Sequence, residues 1–440
     1  MVGSETVELV PSAMAAGGRA LARQPSGRVV FVEGALPGER VRARLVAEKR
    51  DFAEAVTVEV LAPSPARVAP PCPALAEGCG GCTWQHVDAV HQVELKAAVV
   101  VDALRRTGGL ANPPTPLPWP LSGPALRTSA RLVVGTDGRA GHRQRATGGD
   151  RPGAGPVPTG SCLAAHPLLE DLIVHGRYPG ADEVVLRVSA ATGERLVLVR
   201  PASAAAAAVM PPGTKGAGAG EGRAPWLHEE VAGARLRVTA GSFFQPGPVA
   251  AEALVGAVDE AIGDSLGDSL GDGLGGATGD RTGPAGGGPG EGPGGPGSGS
   301  GGHLLDAYAG VGLFGAVLGA RHGARVTAVE RSPSAAADAR ANLAGIDAHV
   351  LEIEVGRWRP RGAPVDVVVA DPARSGLGRP GTTALARSAA PRLVLVSCDP
   401  ASLARDSALL AQFGFSLSAL WLVDAFPHTF HVETVARFDR

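Results

Sequence analysis

Cys398 stands in the segment LVSCDPASLARD, residues 395–406, between two elements with strong local signals. RLVLVS before it has the continuous apolar character of a buried parallel strand, and Asp399 followed by Pro400 is a typical helix start. A cysteine at the carboxyl end of such a strand lies where open α/β sheets bind their ligands. The adjacent helix N-terminus predicts a lowered thiol pKa and a nucleophilic thiolate. A buried, inert cysteine is the alternative.

Two carboxylates accompany this cysteine. VDVVVADPARSG places Asp371 at the end of another predicted parallel strand, with Arg374 in the loop that follows. A thiolate and a carboxylate at two strand ends can face one bound ring, so we expect Asp371 to be catalytic. Glu433 begins the predicted last strand, in FPHTFHVETVARF, and could serve there as a general base. A solvated strand glutamate is the alternative.

A glycine-rich loop supplies the pattern of a nucleotide-type site. In DAYAGVGLFGA, Gly310, Gly312 and Gly315 follow a predicted strand and open a helix, and Glu330 ends the next strand. Glycines there admit a close ligand, and an acid at that distance binds ribose hydroxyls. NAD and S-adenosylmethionine sites share this arrangement, so the glycines alone do not choose between them. A tight packing turn is the alternative.

Three cysteines cluster near residue 80, in PCPALAEGCGGCTWQH. Cys72, Cys79 and Cys82 lie within eleven residues, a density typical of iron–sulfur or zinc sites. The fourth ligand must come from elsewhere in the chain. Cys162 is the cysteine left over once Cys398 is assigned to catalysis, and His86 is the zinc-type alternative.

The elements that must position these residues divide the chain into three parts. Residues 1 to about 64 contain strand-like runs separated by turn signals and predict a small antiparallel barrel. A helical pattern runs from Trp84 to Arg106, and two Gly-containing hairpins follow between Arg127 and Arg200. After the Gly-rich segment 264–302 the pattern alternates strand, loop and helix, which predicts a doubly wound parallel sheet.

Composition excludes several classes of protein. The chain has 440 residues, a net charge of −2 and five cysteines. These features, the absence of a long apolar run and a start without a signal pattern predict a soluble protein of the reducing cytoplasm. Positive charge is not abundant, so an RNA site must be a local patch. The segment 264–302 and a shorter stretch from Ala202 to Gly222 are too poor in apolar residues to fold, and we expect both to be disordered.

Taken together, the motifs resemble one enzyme family. CGGCTWQH, FFQP, DAYAGVGLF, DPARSG, SCDPASLARD and FPHTFHVE occur in the order found in RNA (uracil-5-)methyltransferases with an N-terminal TRAM domain, especially the bacterial 23S rRNA enzymes with a 4Fe–4S cluster. The resemblance covers nearly the whole chain. It implies an α/β plus all-β fold: an OB-like TRAM barrel (1–64), a mostly β domain with the cluster loop (65–240) and a Rossmann-like methyltransferase domain (241–440) interrupted by the insertion 263–302.

The resemblance also implies roles for individual residues. Cys398 would be the nucleophile, Glu433 the base and Asp371 the carboxylate that binds the target uracil. S-adenosylmethionine would be held by Gln245, Asp306, Tyr308, Gly310, Gly312, Glu330, Glu354 and Asp371. The cluster ligands would be Cys72, Cys79, Cys82 and Cys162. RNA would contact Phe243, Arg127, Arg131, Arg143 and Arg374.

Other functions remain open at this stage. A transfer-RNA uracil methyltransferase shares the FFQP motif, so the class of RNA is not determined. A metal-stabilised RNA-binding protein without catalysis is a second alternative, and the combination of Cys398, Asp371 and Glu433 with a glycine loop argues against it. An NAD-dependent enzyme is a third, but nothing in the sequence resembles a hydride-acceptor site. No obligate protein partner and no membrane association are predicted.

Overall fold

The structure is a computed structural model that describes residues 6–145, 155–157, 160–220, 224–267 and 301–440. Most of the segment expected to be disordered, residues 268–300, lies outside the described residues. Within the described ranges, every helix is too short or too polar to cross a bilayer.

The first six strands form one sheet. They are β1 (Thr6–Leu9), β2 (Ala13–Met14), β3 (Ala20–Arg23), β4 (Val29–Glu33), β5 (Arg40–Glu48) and β6 (Phe52–Ala62), in the order β1-β5-β6-β4-β3-β2. Neighbours are antiparallel except β4 and β6, which are parallel. Alternate residues such as Val30 and Val32 face a shared core, as the period of two predicts. The strand order is open, and closure into a barrel stays a prediction.

Helix α1 (Ala89–Arg106) connects this sheet to the rest of the molecule. It begins at Ala89 rather than at Trp84, because the Asp88 side chain caps it by accepting a hydrogen bond from the Val90 amide. Trp84 lies in the preceding turn, where its indole donates to the Gly18 carbonyl at 3.0 Å. The tryptophan is therefore part of the core under the first sheet.

A second sheet fills the middle of the chain. Its strands are β8 (Ser129–Val134), β9 (Ala140–Arg143), β10 (Pro156–Val157), β11 (Glu183–Val188), β12 (Arg195–Arg200) and β13 (Thr214–Gly218), in the order β10-β9-β8-β11-β12-β13. Helix α2 (Pro167–His175) packs on this sheet. The short strand β7 (Leu117–Pro118) precedes these strands in sequence. Strands β14 (Trp226–Val231) and β15 (Ala234–Thr239) form a separate pair. Both predicted hairpins, β8–β9 and β11–β12, are confirmed.

The prediction of disorder from Ala202 to Gly222 is wrong for residues 202–220. Residues Ala202–Ala207 form a 3₁₀ turn, and β13 adds to the sheet as a parallel neighbour of β12. Backbone pairing with β12 orders this segment, because the main-chain hydrogen bonds of a strand do not depend on apolar side chains. Composition alone therefore misjudged it.

The carboxyl-terminal part is an eight-stranded sheet with helices on both faces. It comprises α3 (Pro248–Ile262), β16 (His303–Ala307), α4 (Leu313–His322), β17 (Arg325–Glu330), α5 (Pro333–Asn342), β18 (Ala348–Glu352), β19 (Val367–Ala370), α6 (Gly378–Ala386), β20 (Arg392–Ser397), α7 (Pro400–Ala411), β21 (Ser416–Val423) and β22 (Glu433–Asp439). The order is β18-β17-β16-β19-β20-β22-β21-β7.

The strand order of this sheet determines where a ligand can bind. Strands β16 to β20 are parallel, which confirms the predicted doubly wound sheet, and β22 enters antiparallel between β20 and β21. From β16 the chain first proceeds outward through β17 to β18 and then returns to β19 on the other side of β16. The crevice between the carboxyl ends of β16 and β19 is the switch point, where such sheets bind ligands.

Candidate active site

Cys398 lies between β20 and α7, as its sequence predicts. Residues 393–396 of β20 are fully buried, and the Asp399 side chain caps α7 by accepting a hydrogen bond from the Ser402 amide at 2.7 Å. The cysteine is thus anchored on both sides, by a buried strand and by a capped helix. Its side chain is half-buried at the carboxyl edge of the sheet.

The two predicted carboxylates reach the same place from neighbouring strands. Asp371 follows β19, which pairs with β20. Glu433 is the first residue of β22, and the antiparallel register sets Thr434 opposite Ser397, so Glu433 and Cys398 are neighbours across the two strands. The sheet therefore brings together three groups that lie 27 or more residues apart in the sequence.

The electrostatics of Cys398 differ from the prediction. Burial, followed by the negative charges of Glu433 and Asp371, raises the pKa of the thiol to about 12, while Arg374 acts in the opposite direction. The lowered pKa expected from the helix N-terminus is therefore wrong for the protein without ligands. A helix end contributes only a fraction of a charge, and here two carboxyl groups and the loss of water outweigh it.

Both carboxyl groups favour their protonated forms. Burial raises the pKa of Asp371 to about 7, opposed by a hydrogen bond that the Gln245 side-chain amide donates at 3.1 Å. Burial and the nearby Asp371 raise the pKa of Glu433 well above its usual range. Arg374 forms no hydrogen bond with Asp371; its guanidinium donates to His431 Nδ1 at 3.2 Å. At neutral pH Asp371, with a pKa of about 7, is thus partly ionised, while burial favours the protonated form of Glu433.

The glycine loop borders this centre on the other side of the switch point. Gly310 and Gly312 adopt left-handed backbone angles, and so does Tyr308, with φ of 60°. Asp306 accepts a hydrogen bond from the Gly315 amide at 2.8 Å, while its other carboxylate oxygen has no partner in the described part of the chain. Burial raises the pKa of Asp306 to about 7.

Two acids that were predicted to bind the donor, Glu330 and Glu354, have different surroundings. Glu330 accepts hydrogen bonds from the amides of Gly310, at 2.9 Å, and Ser332, at 2.6 Å, so it also holds the glycine loop in place. Glu354 is exposed beyond the end of β18 and forms an ion pair with Arg357 at 3.9 Å. Glu330 thus lies at the end of β17, next to the strand β16 that borders the switch point, and Glu354 lies beyond the edge strand β18.

The segment Ser242–Gln245 follows β15 and reaches the site through the side chain of Gln245. Gln245 is 6% exposed and donates to Asp371, whereas the Phe243 ring is 71% exposed. Arg187, a buried residue of β11, donates to the Ser242 carbonyl at 2.9 Å. The fully buried Asp338 of α5 accepts hydrogen bonds from the Ser242 hydroxyl and from the Thr239 amide and hydroxyl, all within 2.8 Å.

The hydrogen bonds of Asp338 to this segment were not predicted from the sequence. Their signal is a single acid in SAAADARAN, a helix made mostly of small residues.

Comparison with known proteins identifies the family. An uncharacterized RNA methyltransferase of Streptomyces coelicolor is 34% identical over 99% of this chain and 93% of its own length. A 23S rRNA (uracil(1939)-C(5))-methyltransferase of Chromohalobacter salexigens is 34% identical over 96% of this chain and 87% of its own length. The chain belongs to the RNA methyltransferase family. No family model matches it.

A solved structure shares the fold of this RNA methyltransferase. The tRNA (uracil-54, C5)-methyltransferase of Pyrococcus abyssi superimposes with a TM-score of 0.68 at 20% identity, over 98% of this chain and 99% of that one. The likeness therefore extends across all the sheets.

The methyltransferase has a second group of sulfur side chains at a distance from this centre. Cys72, Cys79, Cys82 and Cys162 line one small cavity together with Arg127 and His142. Burial raises the pKa of Cys79 and of Cys162. His86, the zinc-type alternative, does not line this cavity. Four thiols facing one space are the donor set of a thiolate-bound metal centre, although among the described residues no three possible ligands stand at metal-binding distances.

The predicted RNA-contacting arginines of the methyltransferase separate into three locations, one of which is that of Arg374 near Cys398. Arg127 lies at the cysteine cavity, where its guanidinium donates to the Gly81 carbonyl at 3.4 Å. Arg131 and Arg143 instead converge on Glu183, each at 3.4 Å, and Arg200 joins them at 3.8 Å. Three exposed guanidinium groups thus share one carboxylate. Arg200 was not found from the sequence, because only the pairing of β8, β11 and β12 brings it there.

Proposed function

We propose that this protein transfers a methyl group from S-adenosylmethionine to carbon 5 of a uridine in RNA. The observation that carries the proposal is the convergence of Cys398, Asp371 and Glu433 beside the glycine loop. A family relative that methylates uracil in 23S rRNA, alignable over nearly the whole chain, supports ribosomal RNA as the substrate. A cytoplasmic location follows from that substrate.

The first step needs the sulfur of Cys398. Carbon 5 of uracil is too weak a nucleophile to be methylated directly, and covalent catalysis divides the reaction into easier steps. Cys398 loses its proton to water, and its thiolate adds to carbon 6, moving the electrons of the carbon 5–carbon 6 bond toward oxygen 4 as an enolate. Asp371 stabilises that enolate by a hydrogen bond to the ring, which its raised pKa allows it to donate near neutral pH.

The second step involves the donor and the base. S-adenosylmethionine supplies a methyl group on a positively charged sulfur and departs as S-adenosylhomocysteine once carbon 5 has taken the methyl group. Because burial favours the protonated form of Glu433, this residue must first release its own proton to water. Its carboxylate then removes the proton from carbon 5, and the electrons of that bond restore the ring double bond and expel the Cys398 thiolate. A carboxylate with a raised pKa is a stronger base than an ordinary glutamate, which suits this step.

Residues around the crevice would bind the donor. Asp306, Tyr308, Gly310, Gly312 and Glu330 surround the switch point, and the unpartnered oxygen of Asp306 suits a cationic group. Gln245, Glu354 and Asp371 complete the predicted set. Phe243, exposed beside Gln245, offers a ring on which a displaced base can stack. Arg374 lies close enough to Cys398 to favour its thiolate.

The adduct provides the test of this function. RNA containing 5-fluorouridine at the target should become crosslinked to the wild-type protein in the presence of donor, because fluorine cannot leave as the proton does. Cys398→Ala should form no adduct and no 5-methyluridine, whereas Glu433→Gln should form the adduct with ordinary RNA and release it slowly. Denaturing gels with labelled RNA measure both. A wild-type protein that never crosslinks through Cys398 would disprove the mechanism.

The class of RNA has its own measurement. Mass spectrometry of 5-methyluridine in separated 23S rRNA and tRNA fractions, with and without the gene, should show the loss in rRNA; a loss confined to tRNA would reassign the substrate.

We also propose that Cys72, Cys79, Cys82 and Cys162 hold a 4Fe–4S cluster. When bound, the cluster would cross-link the loop that carries Cys72 to Cys82, a segment with little apolar content of its own, to the central sheet. The proposed division into a TRAM barrel (1–64), a central domain (65–240) and a methyltransferase domain (241–440) places this cross-link within the central domain.

Iron analysis tests the cluster. The purified protein should be brown and contain about four irons per chain, the number a cubane cluster holds. Cys82→Ala should lose the iron and the visible absorbance, while Cys398→Ala should keep both, because that thiol serves catalysis instead. Stoichiometric zinc without iron, or equal iron loss in the two variants, would contradict the assignment.

A further inference from the structure

Helix α1 buries two polar side chains on the face that should be apolar. The buried positions of the helix are Gln92, Lys96, Val99, Val100 and Leu104, a stripe with helical spacing. Gln92 is 1% exposed and Lys96 is 0% exposed, so the first two positions of the stripe are polar. Burying an ammonium and an amide is costly unless each finds partners. Their partners therefore indicate what the two residues do.

Both side chains hold one loop, residues 424–432, which connects β21 to β22. The Lys96 ammonium donates to the Asp424 carboxylate at 2.6 Å and to the Phe426 carbonyl at 3.0 Å. The Gln92 side-chain oxygen accepts from the His428 amide at 2.7 Å. This loop ends at Glu433, the proposed base.

The other end of the Gln92 side chain reaches the segment after the cysteine cluster. Its amide group donates to the carbonyls of Val87, at 2.8 Å, and Trp84, at 3.3 Å. The amides of Thr83 and Trp84 in turn donate to the His428 carbonyl at 2.9 and 2.8 Å. Both polar groups of the His428 backbone are thus bound by α1 or by the turn before it, and His428 is held at a left-handed φ of 63°.

The loop also contacts Arg374, through His431. His431, three residues beyond His428, packs against the rings of Phe430 and Phe426, with ring centres 4.4 and 5.7 Å away. It accepts the hydrogen bond from Arg374 described above. The backbone on both sides of Cys398, in contrast, belongs to β20 and to the capped start of α7, and the loop reaches the thiol only indirectly, through His431 and Arg374.

We propose that Gln92 and Lys96 are positioning residues that place Glu433 for the removal of the carbon 5 proton, and that the addition of Cys398 depends on them much less. The proposal rests on the proposed function of Glu433. It predicts a separation of the two halves of the reaction, since one half depends on the β21–β22 loop and the other on the β20–α7 junction. A general loss of stability would impair both halves together.

The test compares two rates in Lys96→Met and Gln92→Leu, which remove the polar groups and preserve side-chain length or bulk. Adduct formation with 5-fluorouridine RNA, which needs no proton removal, should stay within about twofold of wild type. Release of methylated product from ordinary RNA should slow by about tenfold or more, because a base in position contributes roughly 10²–10⁴ to rate. The covalent adduct should therefore accumulate with ordinary RNA, as in Glu433→Gln.

Lys215→Met is a control that is matched in its hydrogen-bond partners and lies at an exposed position. The Lys215 ammonium also donates to one carboxylate oxygen, of Glu194 at 2.6 Å, and to one carbonyl, of Trp226 at 3.0 Å, but it does so on β13 of the central sheet. This variant should show wild-type rates for both steps. Hydrogen exchange should be faster in residues 424–432 of the α1 variants and unchanged there in the control.

If Lys96→Met does not fold, Asp424→Asn supplies the same comparison, because it keeps an oxygen for Lys96 and removes only the charge. Slower release with normal adduct formation supports the proposal in any of these variants. Equal slowing of both steps, or release at the wild-type rate, overturns it. A wild-type protein without a 5-fluorouridine adduct would instead overturn the proposed function itself, so the two failures are distinguishable.

Discussion

Cys398 is the proposed nucleophile, and its surroundings oppose the loss of its proton. Burial and two carboxyl groups raise the thiol pKa to about 12, and Arg374 is the cationic group that counters them. This arrangement makes chemical sense if the sulfur is to react only when the site is filled. A reactive thiolate exposed at all times would be open to oxidation and alkylation.

The raised pKa of Cys398 predicts the pH dependence of its alkylation. Below the pKa the thiolate fraction rises about tenfold for each unit of pH, so the rate of reaction with iodoacetamide should still be rising between pH 7 and pH 9. Arg374→Gln should slow the reaction at any one pH, because the guanidinium lowers the thiol pKa. Mass spectrometry of the peptide containing Cys398 measures both. A rate that levels off below pH 8 would show that the thiol is already activated.

Among the elements, the loops between strands do the positioning, and buried polar groups fix those loops. Asp338 and Arg187 hold the segment Ser242–Gln245, and Gln92 with Lys96 hold residues 424–432. Asp338 lies on α5, Arg187 on β11, and Gln92 and Lys96 on α1. All four residues are thus outside the parallel strands and bind the backbone or side chains of a loop. Buried hydrogen bonds of this kind make a loop rigid, because breaking one leaves an unpaired polar group.

The long insertion after α3 begins and ends at adjacent positions in the structure. The Gly302 amide donates to the Leu266 carbonyl at 3.0 Å, so residues 267 and 301 can be joined by a very short link. Replacing residues 268–300 with four glycine or serine residues should leave methylation within about twofold of wild type. It should not lower thermal stability, since a shorter connection between the same two ends has a lower entropic cost of closure. Methylation assays and thermal melts measure this.

A longer deletion that also removes Leu266 is the control for that variant. Leu266 is buried in the core between α3 and the sheet, so its removal should destabilise the protein. A large loss of activity in the shorter replacement, with Leu266 intact, would show that the insertion itself has a function.

In the molecule as a whole, positive charge is local rather than general. The net charge is −2, yet Arg131, Arg143 and Arg200 gather around Glu183 on the central sheet. Three guanidinium groups sharing one carboxylate leave an excess of positive charge, which suits phosphate groups of RNA. A weakly acidic protein can bind RNA in this way without a basic overall composition.

The salt dependence of RNA binding tests this surface. Arg200→Gln and Arg131→Gln should each weaken RNA binding and reduce the slope of log affinity against log salt by about 1, as expected for the loss of one phosphate contact. Arg325→Gln is the control. Arg325 is similarly exposed and is paired with Asp347, but it is the first residue of β17, at the amino end of the parallel strands of the large sheet. Equal slopes in all variants would show that the surface does not meet phosphate.

The sequence alone determined the local structure around the site. A buried strand, a cysteine and a capped helix follow from RLVLVSCDPAS, because strand and helix signals are local properties of the chain. The glycine loop, the hairpins and the placement of Glu433 at the start of β22 follow for the same reason. The order of motifs was also sufficient to predict the enzyme family that comparison with known proteins then identified.

Only the tertiary structure decided the quantities that depend on surroundings. The pKa of Cys398 rises rather than falls because the fold buries the thiol and because strand pairing sets Glu433 and Asp371 beside it. Strand β13 is ordered because β12 pairs with it, and Arg200 joins two other arginines because β11 lies between their strands. Burial and electrostatic interaction depend on which segments become neighbours in space, and separation along the chain does not specify those neighbours.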